Sequence, residues 1–130
     1  LEVHLPFLQA VLDDFQLIPI VVGVCPAPEV ESVIESLWGG DETLIVVSSD
    51  LSHFHPYVEA QRIDAQTTAR IEAREATLQG EEACGAYALN GLLLAAQVRG
   101  LQVRTLDLSN SGDTAGDRQR VVGYGAYALA

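Results

Sequence analysis

The chain has 130 residues, room for one domain with one core, and its 48% hydrophobic and 19% charged residues argue against a disordered or solvating polypeptide. Against 18 acidic residues stand 7 basic ones, all of them arginine, for a formal net charge of −11. Phosphate attraction needs clustered positive charge, so the balance argues against nucleic-acid binding and against docking on an anionic membrane.

Leu5, Leu8, Leu12 and Phe15 recur at helical spacing and Pro6 suits a first turn, which predicts a helix over 6–14. LIPIVVGV, residues 17–24, is continuously apolar and predicts a strand buried on both faces. Val30, Val33, Ile34 and Leu37 make one stripe of a second helix that ends at Gly39 and Gly40. TLIVVS, residues 43–48, predicts a second buried strand. The loop with SDLSHFHPY follows, then a long polar helix over 59–78 and an apolar helix in CGAYALNGLLLAAQVRG, closed by Gly100. LQVRTLDLS alternates as a strand does, NSGDTAGDR is turn-rich, and RVVGYGAYALA predicts a closing strand weakened by its glycines. Strands alternating with helices predict a three-layer α/β/α architecture around a mostly parallel or mixed sheet. No repeat, low-complexity tract or linker divides residues 1–130, which are expected to form a single domain.

The sequence contains no Met, from which a piece of a longer polypeptide is expected. Its first residues lack the basic region of a secretion signal, and the apolar run 17–28 is interrupted by prolines and too short to span a bilayer. Two cysteines do not make a disulfide framework in a chain of this size. A soluble, cytoplasmic protein is the expectation.

In open α/β sheets, ligands bind beyond the carboxyl ends of the strands. The strand at 43–48 ends there in Ser48, Ser49, Asp50, His53 and His55. Asp50 and His53 are close enough on a tight turn for the carboxylate to fix the imidazole tautomer, leaving the ring to act as a general acid or base. A turn in which Asp50 caps backbone amides and His53 is half-buried accounts for the same residues. His55 precedes Pro56, which forces it into an extended conformation directed away from His53. The serines do not complete a hydrolase triad, because no G-x-S-x-G elbow is present.

Cys84 lies where the chain enters the apolar helix, so helix-terminal amides favour a thiolate there. Glu81 and Glu82 oppose a free thiolate unless a cation or metal intervenes. The competing reading is a small residue facing the core beside Ala83 and Ala86. Cys25 reads as a buried residue at a strand end. The loop SNSGDTAGDR lacks the Lys of a phosphate-binding loop and the acid pattern of a calcium loop. Its Asp113 and Asp117 are expected to bond their own backbone, and the loop to line a pocket. Tyr124 and Tyr127 read as packing residues.

The segments LEVHLPFLQ, VVSSDLSHFHPY, EACGAYAL and NSGDTAGDRQRVVGYGAYAL, in that order, resemble the Memo-like family, known in bacteria and archaea as AmmeMemoRadiSam system protein B. The resemblance is to the C-terminal part of the family's domain and implies that its N-terminal half is absent from residues 1–130. That family is similar in fold to the LigB-type class III extradiol dioxygenases, non-haem iron enzymes that cleave catechol rings. The resemblance places His53, with Asp50 beside it, at the acid/base position. It places Cys84 where those enzymes carry a Glu ligand to the metal, puts His4 near the same cleft, and puts the two metal-binding histidines before Leu1. A soft thiolate in place of a carboxylate moves metal preference toward copper(I) or zinc and alters iron's potential, which puts ring cleavage in doubt.

The resemblance thus implies an iron or copper redox-type site in the complete protein, with no metal held tightly by residues 1–130 alone. It further implies a small-molecule or peptide ligand and radical-SAM and AMMECR-type partner proteins. Two functions follow from it: a metal-dependent, dioxygenase-like oxidoreductase, or a binding module that turns nothing over.

Overall fold

The structure, a computed structural model, describes residues 2–114 and 116–130. A short 3-10 turn, Glu2–His4, leads into α1 (Leu5–Val11), whose first turn carries the proline. α2 (Ala27–Leu37) also starts on a proline, where the missing N–H has no helical partner to lose, and it buries Val30 and Ile34. α3 (Tyr57–Glu72) is polar on its outer face and buries Ala60, Asp64, Thr67, Thr68 and Ile71. α4 (Ala86–Arg99) is apolar on all sides and accordingly sits in the middle of the molecule, burying Leu89, Leu92, Leu93, Ala95 and Ala96 among others. It stops where expected: Gly100 takes φ +70°, and the Leu101 amide folds back to the Ala96 carbonyl at 2.9 Å.

The sheet contains β1 (His53–His55), β2 (Val103–Asn110) and β3 (Val121–Leu129) in the order β1-β3-β2, with both pairings antiparallel. β2 and β3 pair from Val103 opposite Leu129 to Asn110 opposite Gly123. Their connection behaves as its composition dictates. The Asn110 side chain accepts from the Gly112 amide, and the Asp113 carboxylate accepts from the Asn110 amide, both at 2.9 Å. Asp117 accepts from the Gln119 amide at 2.8 Å. Leu108, Ser109, Asn110 and Asp113 line a cavity of about 200 Å³ with Gln61 and Asp64 of α3.

Helices and strands together make the expected mixed α/β fold, but two predicted strands do not form. Segments 17–24 and 43–48 join no ladder, so the parallel pairing expected of them is replaced by an antiparallel sheet built from the C-terminal strands. The reason lies in what continuous apolar strands require. Burial on both faces needs a packed layer on each side, and here only one side is packed. Val22, Ile45 and Val47 rest on the core of α2 and α4, while Val21 and Val24 are each 89% exposed and Leu44 65%. Pro19 also removes one ladder donor from the first segment.

The core has two parts. Leu51, Ile71, Leu78, Ala83, Ala86, Leu89 and Leu93 form one; Val30, Ile34, Leu92 and Ala95 form the other. Val47 touches both. Among the described residues, no helix is long and apolar enough to cross a membrane.

Candidate metal centre

Two short polar stretches meet at the sheet's edge because each is held between apolar anchors packed on the core. Val47 and the fully buried Leu51 bracket Ser48, Ser49 and Asp50; Ala83 and Ala86 bracket Cys84 and Gly85. Apolar anchors are pulled inward and the residues between them are left at the surface, so Cys84 is exposed and Asp50 and His53 are partly so. The exposure of Cys84 overturns the reading of it as a core residue beside its alanines.

The two stretches are stitched to each other. The Cys84 amide donates to the Asp50 carbonyl and the Asp50 amide donates to the Cys84 Sγ, each at 3.2 Å. Ser49 Oγ donates to the Asp50 carbonyl at 2.7 Å, accepts from the Gly85 amide at 2.9 Å, and lies 3.9 Å from Cys84 Sγ. Only glycine permits this approach at position 85, since a Cβ there would stand 2.7 Å from the Ser48 carbonyl oxygen. The sequence marks Ser49 as one of two serines on a strand end, but nothing in its spacing reveals this bracing role.

His53 opens β1 opposite Val122. Its Nε2 lies 3.6 Å from Asp50 Oδ2, inside ion-pair range and beyond a hydrogen bond. Phe54 follows with φ +63°, a left-handed conformation that costs a non-glycine residue energy, at an irregularity in the β1–β3 register. The Arg120 guanidinium sits 5.0 Å above its ring. His53 belongs to the cluster with the cysteine, and His55 takes no part in it. His4 reaches the same loop from the chain's start, its Nε2 2.7 Å from Ser48 Oγ, and stays outside the cluster as well.

The acids feared to repel a thiolate are partly accounted for. Glu82 is turned to Arg70 and to the Gln79 amide. Burial pushes its carboxyl upward, but those hydrogen bonds and the guanidinium charge outweigh burial and hold it below the ordinary glutamate range. Cys25 stays away from the site. Its half-buried sulfur bonds Glu29, and desolvation, reinforced by that carboxylate, pushes the thiol up.

Asp50, His53 and Cys84 each offer one atom within 4.8 Å of the other two. This spacing distinguishes between two uses of the same residue types. A nucleophile relay puts cysteine and carboxylate on opposite ring nitrogens, farther from each other than from the imidazole. Three donors gathered about one point are arranged as ligands are. The set, one soft sulfur, one imidazole nitrogen and one carboxylate oxygen, suits zinc, iron or copper and not the oxygen-only preference of calcium or magnesium. Three protein donors leave a position open.

A family model described as "Memo-like protein" matches residues 1–128. The chain belongs to the Memo-like family. It is 35% identical to a MEMO1 family protein of Aeropyrum pernix over 99% of its own length and 50% of the relative's. It is 31% identical to one of Methanosarcina mazei over 99% and 54%, and 30% identical to one of Archaeoglobus fulgidus over 95% and 52%. The chain therefore spans about half the length of the Memo-like relatives it matches.

Proposed function

We propose that Asp50, His53 and Cys84 are this chain's contribution to a metal-binding, redox-type site of a Memo-like protein. The observation that supports the reading is the convergence of sulfur, nitrogen and oxygen within 4.8 Å. Cys84 supplies the metal-ligating thiolate, and the Asp50 amide fixes the direction from which its sulfur is approached. An iron or copper ion held there would supply electron transfer or polarisation of a bound ligand. His53 takes up or returns a proton at Nε2, which lies 3.6 Å from the Asp50 carboxylate. His4, through Ser48, braces the loop from the other side.

The exposure of the three residues favours a second reading. Among the described residues none closes water away from Cys84, whereas electrostatic catalysis gains most in a dry site. The same cluster then receives a peptide or metabolite without turning it over, in an accessory role beside a radical-SAM system.

Titration with cobalt(II), followed by the thiolate-to-cobalt charge-transfer band, tests the metal reading. With Cys84 as ligand and His53 beside the ligand shell as the proton carrier, the chain alone supplies fewer than the three or four ligands of a tight site and is expected to bind more weakly than about 1 µM. Cys84→Ser should abolish the band, and His53→Ala should weaken binding by no more than about 10-fold, as for a residue beside the ligand shell. Absence of any band in the wild type at millimolar cobalt contradicts the metal reading. Oxygen uptake with a panel of catechols, metal-loaded wild type against His53→Ala, separates the two functions: equal inertness leaves the binding module.

A further inference from the structure

Asp64 is a carboxylic acid 2% exposed, on a helix whose other charged side chains face solvent. Its Oδ1 accepts the Ser52 amide at 2.9 Å, and it has no cationic partner among the described residues. Burying a carboxylate without a countercharge is costly, so an acid kept in such a place needs a structural or functional return. Its position suggests one. Ser52 is the residue before His53, and its peptide is gripped from β3 as well: the Gly123 amide donates to the Ser52 carbonyl at 2.8 Å, and the Leu51 amide donates to the Gly123 carbonyl at 2.9 Å. Gly123 and Asp64 fit against each other so closely that a Cβ at 123 would stand 2.0 Å from Asp64 Oδ2. Ser52 Oγ, in the middle of this clamp, is buried with no hydrogen-bond partner, a local cost of the kind found where a loop is shaped for something other than stability.

We infer that Asp64 is a positioning residue: braced by Gly123, its carboxylate holds the Ser52 amide and thereby presents His53 to Cys84. The inference rests on the reading of Asp50, His53 and Cys84 as the site, and does not depend on a metal being there. The loop is fixed in front by its exchange of hydrogen bonds with Cys84 and behind by Asp64 and Gly123. Just beyond these clamps the left-handed Phe54 turns the chain after His53, a strain that the surroundings must hold in place. Without the rear clamp, Phe54 relaxes to an ordinary strand conformation and the imidazole leaves the sulfur.

The test is the nuclear Overhauser contact between the His53 ring and the Cys84 β-protons in the metal-free chain. Asp64→Ala should lose it. Asp64→Asn, whose side-chain oxygen accepts the same amide, should keep it. Gly123→Ala, which retains the carboxylate but pushes it off its position, should lose the contact, and serves as the readout if Asp64→Ala does not fold. Ile34→Ala, a truncation in the part of the core that contains neither Leu51 nor the alanines beside Cys84, should keep it and separates positioning from general destabilisation. Cobalt affinity should fall about 10-fold in Asp64→Ala and recover in Asp64→Asn. Folded Asp64→Ala and Gly123→Ala with the contact intact, or an Asp64→Asn that loses it, overturns the inference. A wild type with no cobalt band but the expected pattern of contacts defeats the metal reading and upholds the positioning of His53.

Discussion

Arg70 shows how a single side chain organises the approach to the site. Its guanidinium bonds Glu82 and Glu75 and both the hydroxyl and the carbonyl of Thr77, tying the end of α3 to the loop that leads to Cys84. The Glu82 bond and then the Glu75 bond hold its own pKa above the ordinary arginine value. The Glu82 carboxyl is held below its ordinary value near 4.5. A carboxyl depressed on folding contributes stability that is present above its unfolded pKa and lost as pH falls through the folded one. The pair, about a quarter exposed on either side, contributes on the order of 1 kcal/mol. Denaturant melts of wild type and Glu82→Gln should therefore differ at pH 7 and converge as the pH falls well below 4.5. A gap that is unchanged across that range contradicts this account of Arg70.

Residues also show what could be read in advance. Asp50, His53 and Cys84 are legible because rare, reactive types stand at the end of an apolar run and just ahead of a helix. Asp64 is not, because an acid in a polar helix looks the same from the sequence whether it faces water or the loop beneath it. Ser49 was visible as a polar group but not as a brace, since its partners are backbone groups at Asp50 and Gly85.

At the scale of elements, the expected helices form but not to their expected ends: the first stops at Val11 rather than 14 and the polar helix at Glu72 rather than 78, and of the α2 stripe only Val30 and Ile34 are buried. α2 ends just before the Gly39–Gly40 pair and α4 at Gly100, as the glycines that punctuate the sequence predict. Leu93, wholly buried on α4, should cost about 2–5 kcal/mol when cut to Ala. Leu106→Ala on β2, 55% exposed, should cost less than about 0.5 kcal/mol. Comparable losses for the two, measured by chemical denaturation, would place the core elsewhere.

The strands divide differently. The alternating β2 and the closing β3 form as read, because each is the other's hydrogen-bonding partner and the loop between them carries its own caps. Segments 17–24 and 43–48 were misread because an apolar run records a demand for burial and says nothing about which neighbour meets it. β1 was missed for the converse reason. Three residues with a left-handed Phe54 give no periodic signal, and their pairing is imposed by β3.

Over the whole molecule, two long-range properties oppose each other. Val21, Val24, Leu44 and Val46 are between 47% and 89% exposed and invite association, while the formal charge of −11 repels one copy from another. Salt screens the repulsion and leaves the apolar attraction. Light scattering should accordingly show a monomer at low ionic strength and growing association as salt rises toward molar levels, suppressed by Val21→Asp with Leu44→Asp. A mass independent of salt contradicts the balance described.

The central claim is that the sulfur of Cys84 and the loop carrying Asp50 and His53 meet at one point with the donor set of a metal site. X-ray absorption fine structure of the zinc-saturated chain measures that directly. The account predicts one sulfur scatterer at about 2.3 Å together with nitrogen or oxygen at about 2.0–2.2 Å, with the sulfur shell lost in Cys84→Ser. A first shell of oxygen and nitrogen alone in the wild type would contradict it.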